Sequence, residues 1–129
     1  MFYFLLYPAF LFAKTPIYTE KQTDIVLSPN QSIFTIKLKS NPSTGYTWSI
    51  DYDKKLLKLV SAIYEPPYSS SKTMQRIGAP GHEIWTFKMV PPSAASSALI
   101  KSTAIRFSYQ RAWERKPVDK IVFTINRLK

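Results

Sequence analysis

The chain has no cysteine, and His82 is the one histidine among its 129 residues. The first absence excludes disulfides, thiolate nucleophiles and cysteine-based zinc sites. The second leaves no multi-histidine metal centre, so neither a metal nor any other cofactor is expected. Glycine is scarce as well, with 3 residues against 10 prolines. That balance suits extended segments joined by stiff loops better than a helical bundle. Catalysis has little to draw on. Glu83 adjoins His82, but no motif places a nucleophile beside them, and Asp51 and Asp53 read as solvated turn residues. No enzymatic activity is expected.

Acidic residues are few, 8 against 18 Lys and Arg, which leaves a net charge of +10. Such a charge attracts nucleic acid, anionic lipid or an acidic protein, or serves solubility alone. The basic residues form no block. Lys37, Lys39, Lys88 and Arg106 alternate with apolar residues, the pattern of a solvated sheet face, so nucleic acid is not the expected partner.

What the chain does have is apolar and aromatic: 45% hydrophobic residues, 15% aromatic, enough for one real core at this length. Residues Phe2 to Phe12 are almost wholly apolar and are followed by Ala13 and the polar Lys14. The run is too short to span a bilayer comfortably and suits the apolar core of a secretory signal cleaved after Ala13. No basic residue precedes it and Pro8 interrupts it, so a retained hydrophobic anchor or an edge strand is the other reading. Residues 1–13 are thus expected to be a signal peptide, and 14–129 one domain in the periplasm or outside the cell. No stable membrane insertion is expected once the signal is removed.

From residue 23 the apolar period is mostly two, the strand period. Asp24–Ser28 predicts a first strand, and Phe34, Ile36 and Leu38 a second. Tyr46, Trp48 and Ile50 mark a third and Leu57–Tyr64 a fourth. Trp85, Phe87 and Met89 mark a fifth, ended by Pro91-Pro92 with a turn over Ser93–Ser97. Ile105, Phe107 and Tyr109 give a sixth; Ile121, Phe123 and Ile125 give a seventh. Lys54–Lys58 is compatible with one helical turn, and no segment sustains a 3.6 period. The expected fold class is all-β, a sandwich of about seven strands, with a small barrel as the competitor.

If successive strands run up and down, the loops Ser40–Thr44, Glu65–Gly81 and Arg111–Pro117 emerge at one end. Gly45, Gly78 and Gly81 lie in or beside the first two, and Trp48, Trp85 and Trp113 lie in or next to the three. Loops gathered at one end of a sandwich are a recognition arrangement. In Asn41-Pro42-Ser43-Thr44-Gly45, Pro42 fixes its own φ and restricts Asn41. The Asn and Ser side chains can bond locally, and Gly45 admits a positive φ at the strand entry. A plain turn and a stiff binding loop are both compatible with this pattern. Gly78-Ala79-Pro80-Gly81 lets the backbone pass close to another surface, or simply ends a loop. Arg111-Ala112-Trp113 sets a cation and a large aromatic at a strand end, where Trp113 either caps the core or binds a partner.

These three segments resemble the motifs of the chagasin-type inhibitors of cysteine peptidases. NPSTGYTW at 41–48 is similar to the family's NPTTGY/F with a following Trp, GAPG at 78–81 to GxGG, and RAW at 111–113 to RPW or RPF. The order and spacing agree, over roughly residues 20–128. Pro80 departs from a glycine and Ala112 from the proline. The resemblance implies an immunoglobulin-like sandwich whose three loops form a wedge that reversibly occludes the cleft of papain-like cysteine proteases, the organism's own or a host's. It implies a protease-binding set of Asn41, Pro42, Ser43, Thr44, Gly45 and Tyr46 in the central loop. On one flank it adds Gly78, Ala79, Pro80, Gly81 and His82, and on the other Arg111, Ala112 and Trp113. Ser43 and Thr44 would face the catalytic pair, while Arg111 would hold its own loop or touch the partner. A monomer is expected. The alternative is a periplasmic or secreted immunoglobulin-like binding module, an adhesin or a carbohydrate- or nucleic-acid-binding domain, without protease inhibition.

Overall fold

A computed structural model describes residues 15–67, 80–90 and 102–128. Eight strands lie among them: β1 (Ile17–Tyr18), β2 (Asp24–Leu27), β3 (Ile33–Ser40), β4 (Tyr46–Tyr52), β5 (Leu57–Glu65), β6 (Gly81–Met89), β7 (Ser102–Arg111) and β8 (Asp119–Arg127). The signal reading for 1–13, the turn at 93–97, Pro91-Pro92, Gly78 and Ala79 lie outside the described residues. The strands make two four-stranded sheets, ordered β1-β3-β6-β5 and β2-β8-β7-β4. The all-β sandwich expected from the alternation is the fold observed. The one strand the periodicity did not show is β1, two residues long and therefore too short to display a period.

The alternation works because every second side chain of a strand meets the opposite sheet. Phe34, Ile36 and Leu38 of β3 face inward with Trp85, Phe87 and Met89 of β6. From the other sheet they meet Ile105 and Phe107 of β7 and Phe123 and Ile125 of β8. Trp85, one of the alternating apolar residues expected in the fifth strand, is a core residue at 5% exposure. It sits in mid-strand opposite Ile36, its ring centroid 4.8 Å from that of Phe107. Lys54–Lys58 splits in two: a turn closed by Leu57 N–H donating to the Asp53 carbonyl at 3.0 Å, and then β5.

Pairing is antiparallel for β3–β6, β5–β6, β4–β7 and β7–β8, and parallel for β1–β3 and β2–β8. From β2 onward the strands therefore alternate in direction. Ser40 stands opposite Gly81, Glu65 opposite His82, Tyr46 opposite Arg111 and Tyr109 opposite Asp119. The ends of β3, β5 and β7 consequently lie at one pole, as the up-and-down expectation requires.

Phe107 is 1% exposed and touches rings from both sheets. Phe107→Ala is expected to lower stability by about 3–5 kcal/mol, the range for an aromatic removed from a core that cannot fully collapse. Denaturant midpoints of the variant and parent chains measure it.

Candidate functional site

The central loop is a single tight turn. Pro42–Thr44 forms one 3-10 turn with proline at its start, and Gly45 N–H donates to the Pro42 carbonyl at 2.9 Å. Gly45 has φ 85°, the left-handed region that a residue with Cβ enters at a cost. The polar side chains close the loop on itself. Ser43 Oγ donates to Asn41 Oδ1 at 2.6 Å, and Thr44 Oγ1 donates to the Asn41 carbonyl at 2.6 Å. None of the turn's three residues is buried. Pro42, Ser43 and Thr44 thus form an exposed tip whose shape is set by internal bonds.

Two residues from other strands anchor this tip. Asn41 N–H donates to the Tyr109 hydroxyl of β7 at 3.0 Å. Arg111, the last residue of β7, donates from Nε to the Thr44 carbonyl at 3.0 Å. Its guanidinium lies 4.3 Å from the Tyr46 ring centroid and 5.7 Å from that of Trp113. Its Nη1 is 3.5 Å from Glu114 Oε1, so the cation is shared between the two loops. Sequence reading left open whether Arg111 holds its loop or meets a partner; the geometry shows it holding two loops together.

The third loop turns back through Glu114 N–H to the Arg111 carbonyl, 3.1 Å, and Val118 N–H to the Tyr109 carbonyl, 2.8 Å. Trp113 does not cap the core, being 72% exposed. Its indole leans on the central loop instead. A Cβ on Gly45 would stand 3.0 Å from the far edge of that ring and 3.8 Å from the Arg111 stem. Gly45 therefore serves both a backbone angle and the seating of Trp113. Ala112 is exposed beside it.

The second loop's described residues behave differently. Pro80 is exposed, but Gly81 is buried as the first residue of β6. A Cβ there would fall on the Glu65 carbonyl oxygen and the Tyr64 ring, so packing of β5 on β6 accounts for this glycine. His82 follows on the outer sheet face, between Lys39 and Glu65 in register. Glu83 points to the inner side, where its Oε2 accepts from the buried Ser40 hydroxyl at 2.6 Å. Neighbours on one strand face opposite ways, so His82 and Glu83 make no acid–base pair. Among the described residues no group of His, Cys, Asp or Glu could hold a metal ion.

Beneath the central loop runs an aromatic column that sequence reading did not foresee. Tyr46 stacks on Tyr109 at 5.3 Å, and Tyr109 lies 4.6 Å from Trp48, whose Nε1 donates to the Lys39 carbonyl at 2.9 Å. The available signal was register. Tyr46, Trp48, Tyr109 and Arg111 all have inward parity on their strands, but their juxtaposition needs the β4–β7 pairing.

A family model of the chagasin family peptidase inhibitors, I42, matches residues 28–126. The chain belongs to the chagasin family. Peptidase inhibition, and not catalysis, is what membership brings, and the motif resemblance to chagasin-type inhibitors of cysteine peptidases holds at the family level. Amoebiasin-2 of Entamoeba histolytica is 27% identical over 127 residues, spanning 95% of this chain and 94% of the relative. The crystal structure of the cysteine protease inhibitor EhICP2 from Entamoeba histolytica superposes with a TM-score of 0.69 at 24% identity, covering 88% of this chain and 96% of that one. The solution structure of Amebosin does so at 0.55 and 18%, covering 89% and 97%. These likenesses establish the immunoglobulin-like fold of this chagasin-family chain. Its departure at Ala112 falls beside Arg111, whose bond to Thr44 supplies a restraint on the loop that the missing proline does not.

Arg111→Met keeps the aliphatic stem and deletes the bond to Thr44. Backbone amides of 43–46 are then expected to exchange faster, while the Phe87 amide keeps its protection. Hydrogen exchange followed by NMR separates the two. Uniform protection at both places would show that the guanidinium is not the restraint.

Proposed function

We propose that this chagasin-family chain is a reversible inhibitor of papain-like cysteine proteases that occludes the active-site cleft with its loop end. The observation that carries the reading is the Arg111 clamp, which joins the Pro42–Thr44 tip and the exposed Trp113 into one preformed edge. A projecting loop whose polar groups are already bonded loses little entropy on entering a cleft. A large, exposed aromatic beside it supplies an anchor of the kind that dominates interface energies. Ser43 and Thr44 would meet the catalytic pair, Trp113 would pack on one flank, and the 78–82 segment would lie along the other. No chemistry by the inhibitor is involved. Substrate is excluded because the cleft is filled and no scissile bond is presented there.

Export through the N-terminal apolar run, action in the periplasm or outside the cell, and a monomeric state complete the proposal. The targets are proteases of the organism or of a host.

Titration of active papain with the purified chain, followed by peptide hydrolysis, is expected to show stoichiometric loss of activity. Trp113→Ala should weaken inhibition by about 2 kcal/mol or more, roughly 30-fold, as removal of an interface anchor does. A charge at the tip, Thr44→Glu, should abolish it. Hydrolysis that continues unchanged at micromolar chain would remove papain from the target class.

The net charge of +10 adds a kinetic expectation. Association with an acidic protease should slow as salt rises, with the dissociation rate little affected. Stopped-flow rates that do not depend on ionic strength would show that the basic surface plays no part in encounter.

A further inference from the structure

The two outer faces of the sandwich are unlike. On the β2-β8-β7-β4 sheet the outward side chains include Thr47, Ser49, Ser108 and Thr124, with two exposed valines, Val26 and Val122. The charges there balance, Asp24 and Asp51 against Arg106 and Lys120. On the other sheet the register lays out four rows. From the loop end downward they read Lys39–His82–Glu65, Lys37–Ile84–Ile63, Ile17–Thr35–Thr86–Ser61 and Ile33–Lys88–Lys58.

This second face carries four lysines against one carboxylate, Glu65, which Lys37 already holds at 3.2 Å. Lys58 and Lys88 stand directly opposite one another, an arrangement of like charges that destabilises a sheet. Neither has a salt bridge among the described residues. Among the lysines stand isoleucines, together with a row of Thr35, Thr86 and Ser61. Ile17, Ile33 and Ile63 are 62%, 40% and 58% exposed.

We infer that this face docks on an anionic lipid surface, with the isoleucines at headgroup depth and the lysines on the phosphates. A soluble polyanion would neutralise the lysines but leave the isoleucines in water. A second copy of the chain would set the same lysines against each other. A bilayer with anionic headgroups satisfies both kinds of side chain, because lysine stems lie along apolar surface while their heads stay at the charged layer. The contact is peripheral: among the described residues no helix is long and apolar enough to cross a membrane. The loop end lies beyond Ser40 and Gly81, at the rim of the docked face, and remains open to a protease.

The full chain is sedimented with vesicles of phosphatidylcholine, with and without added phosphatidylserine. The measured quantity is the ratio of the two partition coefficients, which cancels any charge-independent contribution from the apolar N-terminal run. Lys58→Ser with Lys88→Ser is expected to lower this ratio about 25-fold, about fivefold for each lysine. Lys58→Ser alone, on the sheet edge, should give the single step even if the double variant folds poorly. Arg106→Ser with Lys120→Ser, on the opposite face, should leave the ratio unchanged, and Ile33→Ser should lower binding that persists at high salt. Papain titration of the Lys58→Ser variant should match the parent, which keeps this inference separable from the inhibitor reading. A parent ratio near one, or an equal loss from the Arg106/Lys120 pair, would overturn the inference. So would binding to soluble heparin without vesicle preference, or a concentration-dependent dimer that hides the lysines.

Discussion

Phe107 sits where the two sheets close on each other, and much of this protein is arranged around it. Its ring meets Phe123 at 5.5 Å, Trp85 at 4.8 Å and Trp48 at 6.1 Å, so one side chain joins β7 to β8, β6 and β4. From Trp48 the contacts continue outward through Tyr109 and Tyr46 to the Arg111 guanidinium. The column is a consequence of pairing. With Ile50 opposite Phe107, Trp48 opposite Tyr109 and Tyr46 opposite Arg111, successive inward positions of β4 and β7 stack toward the loop end. The core and the exposed tip are thereby one packed unit.

That continuity explains how a short, wholly exposed loop keeps a defined shape. Its own bonds, Ser43 to Asn41 and Thr44 to the Asn41 carbonyl, close the turn. Tyr109 and Arg111 then fix where the closed turn points. Internal bonding alone would give a rigid turn with free orientation, and anchoring alone would give a floppy tip in a fixed place. Under the proposed cleft-filling role both are needed, since each uncommitted torsion is paid for on binding. The departure from the family motif at Ala112 is tolerable in this light, because restraint at Arg111 acts from the adjoining residue.

The two ends and two faces of the sandwich carry different chemistry on one scaffold. The loop end presents a closed turn and an indole, whereas one outer sheet face presents lysines around isoleucines and the other is balanced in charge. Antiparallel register allows this, because alternate residues of a strand answer to different surroundings. Lys37 and Lys39 were legible as outward residues of a strand from alternation alone. That Lys58 and Lys88 oppose one another was not, since it depends on a bulge at Leu59/Ser61 and on which strand lies beside which.

Read by itself, the sequence determined the fold class, the seven longer strands and the pairing of the Asn41–Gly45 and Arg111–Trp113 loops at one end. Period-two burial is local, and Asn-Pro-x-x-Gly is a turn in most surroundings. It also carried the family, through NPSTGYTW above all. Tertiary structure alone decided the individual roles. Trp113 could cap the core or face a partner as far as its letters go, and only the folded chain shows its indole 72% exposed. Gly45 and Gly81 likewise differ in ways no letter shows, Gly45 by its positive φ and the Trp113 ring beside it, Gly81 by the Tyr64 side chain and Glu65 carbonyl packed on it. Arg111 became a clamp because Thr44 and Tyr46 lie within its reach across the β4–β7 pair. Such roles depend on contacts between residues distant in the sequence, about which local periodicity carries no information.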